Sequence, residues 1–144
     1  MPDVYRFGPS GGVGGQVFTD DPKIPSASRV IEVQIWAGST IEGIRMIHET
    51  ADGAKRELDW HGGGCGQPRV FTLRSNEYIT GISGRCGSLV DSLRIHTQTR
   101  QSPEYGRSGG QEYHYQAPPD TEIVGFYGRS SSIVEAIGVI LRRR

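Results

Sequence analysis

Three carboxylates recur at matching places in this 144-residue chain: Glu42, Asp91 and Glu135 stand 49 and then 44 positions apart. Each follows two small residues and two mostly apolar ones and leads into a small residue and an alternating apolar run. The segments are GSTIEGIRM (38–46), GSLVDSLRI (87–95) and SSIVEAIGV (131–139). A second series keeps nearly the same period: Gly14-Gly15-Gln16, Cys65-Gly66-Gln67 and Gly109-Gly110-Gln111 step by 51 and 44. An ionised carboxylate is a strong hydrogen-bond acceptor, and glycine lets main-chain N–H groups come close to whatever lies beside them. A lone loop carboxylate usually caps a turn. Three at equivalent positions, each matched by its own glycine loop, argue for a shared binding chemistry.

The elements that must position these groups form an internal threefold repeat. Ile31, Val33 and Ile35 alternate with Glu32 and Gln34, which predicts a half-buried strand with those three on the core face. Residues 43–48 predict the next strand, with Ile44 and Met46 on one face and Arg45 on the other. Asp52-Gly53 is a hairpin signal leading to a strand over 57–60. Further strands are expected at 16–19, 70–73, 78–82 and 123–127, and residues 109–116 read as a third glycine loop with its strand. In the second repeat Leu93 and Ile95 share a face opposite Arg94 and His96. Residues 8–15, GPSGGVGG, read as a loop too rich in glycine for a regular element, and 97–107 as an extended edge segment with a turn. Nowhere does helical spacing persist, so the chain is all-β, with about a dozen short strands. A period of 44–51 residues holds about four strands. Propellers need at least about four such blades to close, whereas three four-stranded sheets can pack around one axis as a triangular prism.

Composition bounds the rest. The length fits one domain spanning residues 1–144 with room for a core. Glycine, at 21 residues, is about twice what the usual ~7% would give. Formal net charge is zero, which argues against a dedicated nucleic-acid binder, and Arg142 to Arg144 read as a solvated end. No apolar run approaches the ~20 residues of a membrane span, and no leader is visible, so the default expectation is cytoplasmic, with export by another route left open.

The run GRSSSIVEAIGVIL (128–141), together with GPSGGVGGQVF (8–18), resembles the jacalin-related lectins, and the likeness extends over residues 7–141. It implies the β-prism I fold: three four-stranded antiparallel Greek-key sheets with pseudo-threefold symmetry. It also implies non-catalytic carbohydrate binding at one end of the prism, between a glycine loop and a carboxylate loop. The chemistry suits a sugar, whose adjacent hydroxyls can both donate to one carboxylate; hydrogen bonds to charged acceptors contribute ~1.5–3 kcal/mol. Carried over, site one joins Gly15 with the Ser132 and Ile133 main chain and Glu135. Site two joins Gly66 with Ser39, Thr40 and Glu42, and site three joins Gly110 with Ser88, Leu89 and Asp91.

The resemblance departs at the carboxylates, where the family usually has Asp. Glu42 and Glu135 carry an extra methylene that displaces the oxygens by about 1.5 Å, so site three matches best. The galactose-binding branch uses a proteolytically freed glycine; Gly15 lies inside an uncut chain, which favours mannose or glucose. Expected partners are mannose-containing glycans and copies of the chain itself, with no cofactor and no metal. His61, Cys65, His96 and His114 lack a recognisable ligand spacing. Cys65 and Cys86 would sit at the same end of a prism, either as a disulfide or as two thiols. Trp36, Trp60, Phe126 and Tyr127 read as packing residues rather than sugar platforms, with Tyr78 and Tyr127 as candidate rim contacts. A prism that binds protein partners without sugar is the alternative. A glycosidase ranks last, because each site supplies one carboxylate rather than a pair ~5–9.5 Å apart.

Overall fold

The computed structural model describes residues 4–144. In chain order the strands are β1 (Val4–Gly11), β2 (Gln16–Thr19), β3 (Ser28–Ala37), β4 (Ile41–Thr50), β5 (Lys55–Glu57), β6 (His61–Gly62), β7 (Gln67–Thr72), β8 (Ile79–Cys86), β9 (Val90–Thr97), β10 (Tyr105–Gly106), β11 (Gln111–Gln116), β12 (Thr121–Ser130) and β13 (Val134–Arg143). Among the described residues the helical content is a single 3-10 turn, Asp21–Lys23.

Three hairpins, β3–β4, β8–β9 and β12–β13, form the centres of three antiparallel sheets. Edge strands complete them in the orders β5-β4-β3-β7, β10-β9-β8-β11 and β1-β13-β12-β2, with the two-residue β6 also paired to β4. The architecture is the β-prism. Strands β4, β9 and β13 meet pairwise about the axis, and their alternating apolar residues fill it. Ile44, Met46, Leu93, Ile95, Ile137 and Ile140 are fully buried, each contributing about 1.5–3 kcal/mol of apolar burial before opposing terms.

Every central hairpin carries two β-bulges at equivalent places. The one far from the hairpin loop inserts Ile31, Thr80 or Val124. An inserted residue shifts the two-residue period, so Val30 rather than Ile31 enters the core, contrary to the simple alternation of 31, 33 and 35. The glycine-rich stretch also differs from expectation, since β1 continues through Gly11 and pairs with β13, with a register shift between Phe7 and Ser10. Its glycines make that pairing close: a Cβ on Gly11 would lie 2.7 Å from Ala136 Cα. The strand expected over 57–60 ends at Glu57, where the chain turns to bury Leu58.

Candidate functional site

The second bulge of each hairpin builds the candidate site. The hairpin loops are residues 38–40, 87–89 and 131–133. Just beyond them, Trp36 pairs with Gly43 and Ala37 with Ile41, so Glu42 is the inserted residue. In the same way Asp91 is inserted between the pairs Cys86–Val90 and Arg85–Ser92, and Glu135 between Ser130–Val134 and Arg129–Ala136. A bulge bends its strand and re-aims the inserted side chain, and here it turns three carboxylates toward one end of the prism. Each loop closes the same way: the amides of Gly38, Gly87 and Ser131 donate to the carbonyls of Thr40, Leu89 and Ile133 at 3.0, 2.9 and 2.8 Å.

The bulged residues also anchor the glycine loops. Released from the ladder, the main-chain carbonyls of Glu42, Asp91 and Glu135 accept from the amides of Gly63, Arg107 and Gly12 at 2.7, 3.0 and 2.8 Å. This brings each carboxylate against its glycine. A Cβ on Gly15 would lie 2.9 Å from Glu135 Oε2, one on Gly66 2.7 Å from Glu42 Oε2, and one on Gly110 2.9 Å from Asp91 Oδ2. The longer Glu side chains therefore reach their glycines as closely as Asp91 does. Gly15, Gly66 and Gly110 have φ of +72°, +87° and +67°, so each also needs glycine for its backbone.

Exposure follows the repeat: Ser39, Ser88 and Ser132 are exposed, Thr40, Leu89 and Ile133 half-buried, and the three carboxylates half-buried. The side chains of Glu42, Asp91 and Glu135 accept no hydrogen bond and form no ion pair with any described residue. Other acidic groups are engaged. Fully buried Asp20, for instance, accepts from His61 Nε2 at 2.7 Å and from Phe126 N at 2.9 Å. Half-buried carboxylates against glycine loops, with no donor among the described residues, are acceptors set out for a ligand rich in hydroxyls.

Several positioning residues carry no obvious mark in the sequence. Arg129, six residues before Glu135, donates Nε to Gly14 O at 2.9 Å and Nη2 to Gly15 O at 3.0 Å. Arg85, six before Asp91, reaches Gly110 O at 3.3 Å while holding Glu112. The matching residue in site two is Trp36, edge-on to Trp60. Neighbouring sites also interlock, since a Cβ on Gly12 would lie 2.8 Å from Ser88 C and one on Gly63 3.1 Å from Ser132 C. At the corresponding third junction stands Arg107. The one signal that could have found the arginines is the repeated six-residue spacing.

Other expected contacts fall elsewhere. Tyr78 lies next to the start of β8, at the end of the prism away from the loops, under the Arg144 guanidinium. Tyr127 sits mid-strand and gives its hydroxyl to Gly8 O. Phe126 is buried in the core, and Trp36 and Trp60 are half-buried. Cys65 is exposed and Cys86 half-buried, both free thiols; burial, and then the charge of Asp91, push the Cys86 thiol up. Among the described residues no group of His, Cys, Asp and Glu is placed to hold a metal, and no helix is long and apolar enough to cross a membrane.

A model of the jacalin-like lectin domain matches residues 7–140. Horcolin of Hordeum vulgare is 28% identical over 145 residues, covering 96% of this chain and 97% of its own. The Calsepa lectin solved in complex with a biantennary N-glycan superposes with a TM-score of 0.84 at 26% identity, covering 100% of this chain and 99% of that one. Malaysian banana lectin gives a TM-score of 0.84 at 27% identity, covering 98% and 99%.

Proposed function

The chain belongs to the jacalin-like lectin family, and from that premise we propose that it is a non-catalytic lectin of mannose or glucose type with three sugar sites at one end of its prism. One observation carries the reading: three half-buried carboxylates on equivalent bulges, each against its own glycine loop and none with a hydrogen-bond or ion-pair partner among the described residues. In each site the carboxylate accepts from two adjacent sugar hydroxyls. Main-chain N–H groups of the loops (Ser132 and Ile133, Ser39 and Thr40, Ser88 and Leu89) and of Gly15, Gly66 and Gly110 donate to the remaining oxygens. The solved N-glycan complex of the Calsepa relative supports a glycan as the ligand class, and the uncut chain around Gly15 supports mannose or glucose over galactose.

Each site holds one carboxylate, which suits recognition rather than hydrolysis. Single sites of this kind are weak, and three on one protomer, more in an oligomer, gain strength from effective concentration on a branched glycan. The test is a glycan array with calorimetry on the intact chain and on the triple variant Glu42→Ala, Asp91→Ala, Glu135→Ala. Mannose-containing glycans should bind the former and not the latter. An intact protein that binds no glycan would sink the reading in favour of an interaction prism without sugar.

A further inference from the structure

The outer faces of the three sheets repeat one cross-strand row. Adjacent positions read Thr19–Tyr127–Gly138 on the first sheet, Val70–Gln34–Arg45 on the second and His114–Ser83–Arg94 on the third. On the first, the Tyr127 ring lies over Gly138, where a Cβ would come within 2.8 Å of Cζ. On the second, Gln34 Oε1 accepts from Arg45 Nε at 2.8 Å, and the guanidinium also reaches Glu57 at 3.4 Å. Both rows are closed by their own side chains.

The third row is open. Ser83 is too short to cap its neighbouring arginine, and its Oγ instead lies 2.7 Å from His96 Nε2. Arg94 Nε is thereby shut off from solvent with no hydrogen-bond partner among the described residues. A buried donor without an acceptor is destabilising, and beside it is a cleft of about 270 Å³ lined by Arg94, His96, His114 and Arg85. Two carboxylates also line it, each occupied: Glu112 pairs with Arg85 at 3.2 Å, and Glu104 accepts from Ser92 Oγ at 2.7 Å. We infer that this cleft is a binding site for a tetrahedral oxyanion, a sulfate or phosphate group free or esterified to a saccharide, held by the Arg94 guanidinium that lines it and has no hydrogen-bond or ion-pair partner among the described residues.

Two basic neighbours act on the histidine that lines the cleft. Burial, then the charges of His114 and Arg94, hold the His96 imidazole below its ordinary range. A bound dianion reverses that pressure, so His96 gains a proton more readily when the site is filled. Binding should strengthen as pH falls and His96 becomes cationic. Arg85, Arg94, Glu104, Glu112 and His114 also face the cleft, and buried Tyr113, pushed well above 10 by desolvation, stays neutral. Because Arg85 also donates to Gly110 O, the site adjoins the third glycine loop while lying on the side of the prism.

Sodium sulfate titrated at constant ionic strength tests this, read by the Arg94 side-chain Nε–H resonance and the imidazole shifts of His96. The expected result is a saturable Arg94 shift and a rise in the His96 titration midpoint. Ser83→Gln rebuilds the row that already folds on the second sheet, and should weaken sulfate binding by at least roughly tenfold, as loss of a charge-assisted contact does. Its affinity for neutral mannosides should be unchanged, and the sulfate readout itself does not depend on whether the end of the prism binds sugar. A sulfated hexose that binds tighter than inorganic sulfate, while its unsulfated parent leaves Arg94 unmoved, identifies a saccharide ester as the source; equal affinities identify the free anion. Chloride reproducing the sulfate shift, or Ser83→Gln binding sulfate as the wild type does, would overturn the inference.

Discussion

Glu135 and Glu77 are both carboxylates beside a turn, at opposite ends of the prism, and their surroundings are opposites. Glu135 is half-buried and accepts nothing from any described residue. Glu77 is 5% exposed and saturated: Arg100 grips both its oxygens at 2.8 and 3.0 Å, Thr97 Oγ1 donates at 2.6 Å and the Arg74 amide at 2.7 Å. Arg100 is in turn fixed by Thr72 O at 2.7 Å and packs 4.4 Å above the Phe71 ring. Hydrogen-bond capacity satisfied within the fold stabilises the fold, and capacity left unsatisfied but reachable by solvent is available to a ligand. One end of the prism ties β7, β8 and β9 together, while the other presents acceptors.

The largest test of this contrast is Glu77→Gln, which should destabilise the protein by about 2–3 kcal/mol in urea unfolding, because Arg100 and the Thr97 and Thr99 hydroxyls lose a charged acceptor, and should leave sugar affinity unchanged. Acid does the same reversibly. Bonds from Arg100 first, then from the Arg74 amide and Thr97, hold the Glu77 carboxyl at about 2. The unfolded chain therefore binds the proton at a higher pH than the folded one. Stability from this group is complete at neutral pH and is lost as pH falls from about 4.5 through about 2. A urea midpoint insensitive to Glu77→Gln would break the comparison.

At the other end the pattern inverts. Glu135→Ala, Glu42→Ala and Asp91→Ala should each leave unfolding nearly unchanged and weaken their own site by about 2 kcal/mol, the loss expected for an acceptor serving two hydroxyls. Calorimetric stoichiometry falling by one site per variant would show it. A smaller effect separates sites one and two. Arg129→Met removes both bonds to Gly14 and Gly15 and should weaken site one about tenfold. Site two, with Trp36 at that place, should be untouched, as followed by the amide signals of Gly15 and Gly66.

Much of this was legible in the chain. The two spacing series revealed the threefold repeat, the resemblance to the jacalin-related lectins paired each carboxylate with its glycine, and alternation put Ile44 with Met46, and Leu93 with Ile95, on shared faces that prove to be the core. What sequence reading could not supply is the bulge. A bulge is an offset between two strands, and GSTIEGIRM alone does not reveal that Glu42 faces no partner residue while Gly43 and Ile41 do. The same offset explains why Ile31 was placed on the wrong face. The arginine clamp on the first loop escaped for another reason: Arg129 acts on Gly14 and Gly15 across more than a hundred residues, through a pairing that only the closed sheet creates. Glycines in β1 misled because their rarity in strands reflects lost packing and entropy, which close approach to β13 offsets here.

The finest asymmetry lies at the far bulges and gives the smallest effect. On two sheets the bulge carbonyl is satisfied by the edge strand's next amide, Leu73 N to Ile31 O at 2.9 Å and Ala117 N to Thr80 O at 2.7 Å. Counted from Gly66, Gly110 and Gly15, the matching third position is Pro22, which has no N–H to give. His48, reaching across from β4, takes its place with Nε2 2.8 Å from Val124 O, its Nδ1 lying 2.8 Å from Ser28 Oγ. Burial chiefly, and the nearby charge of Arg142, hold this imidazole below its ordinary range, so the neutral ring is the one that fits. The unfolded chain binds this proton first, and stability should decline as pH drops below about 6.5 toward the depressed folded value. His96 contributes a slope of the same sign, so His48→Gln, whose amide can still donate to Val124 O, should reduce the loss of Tm between neutral pH and pH about 5.5 without abolishing it. An unchanged slope would mean that the Val124 carbonyl tolerates a charged neighbour and that the missing amide at Pro22 needs no replacement.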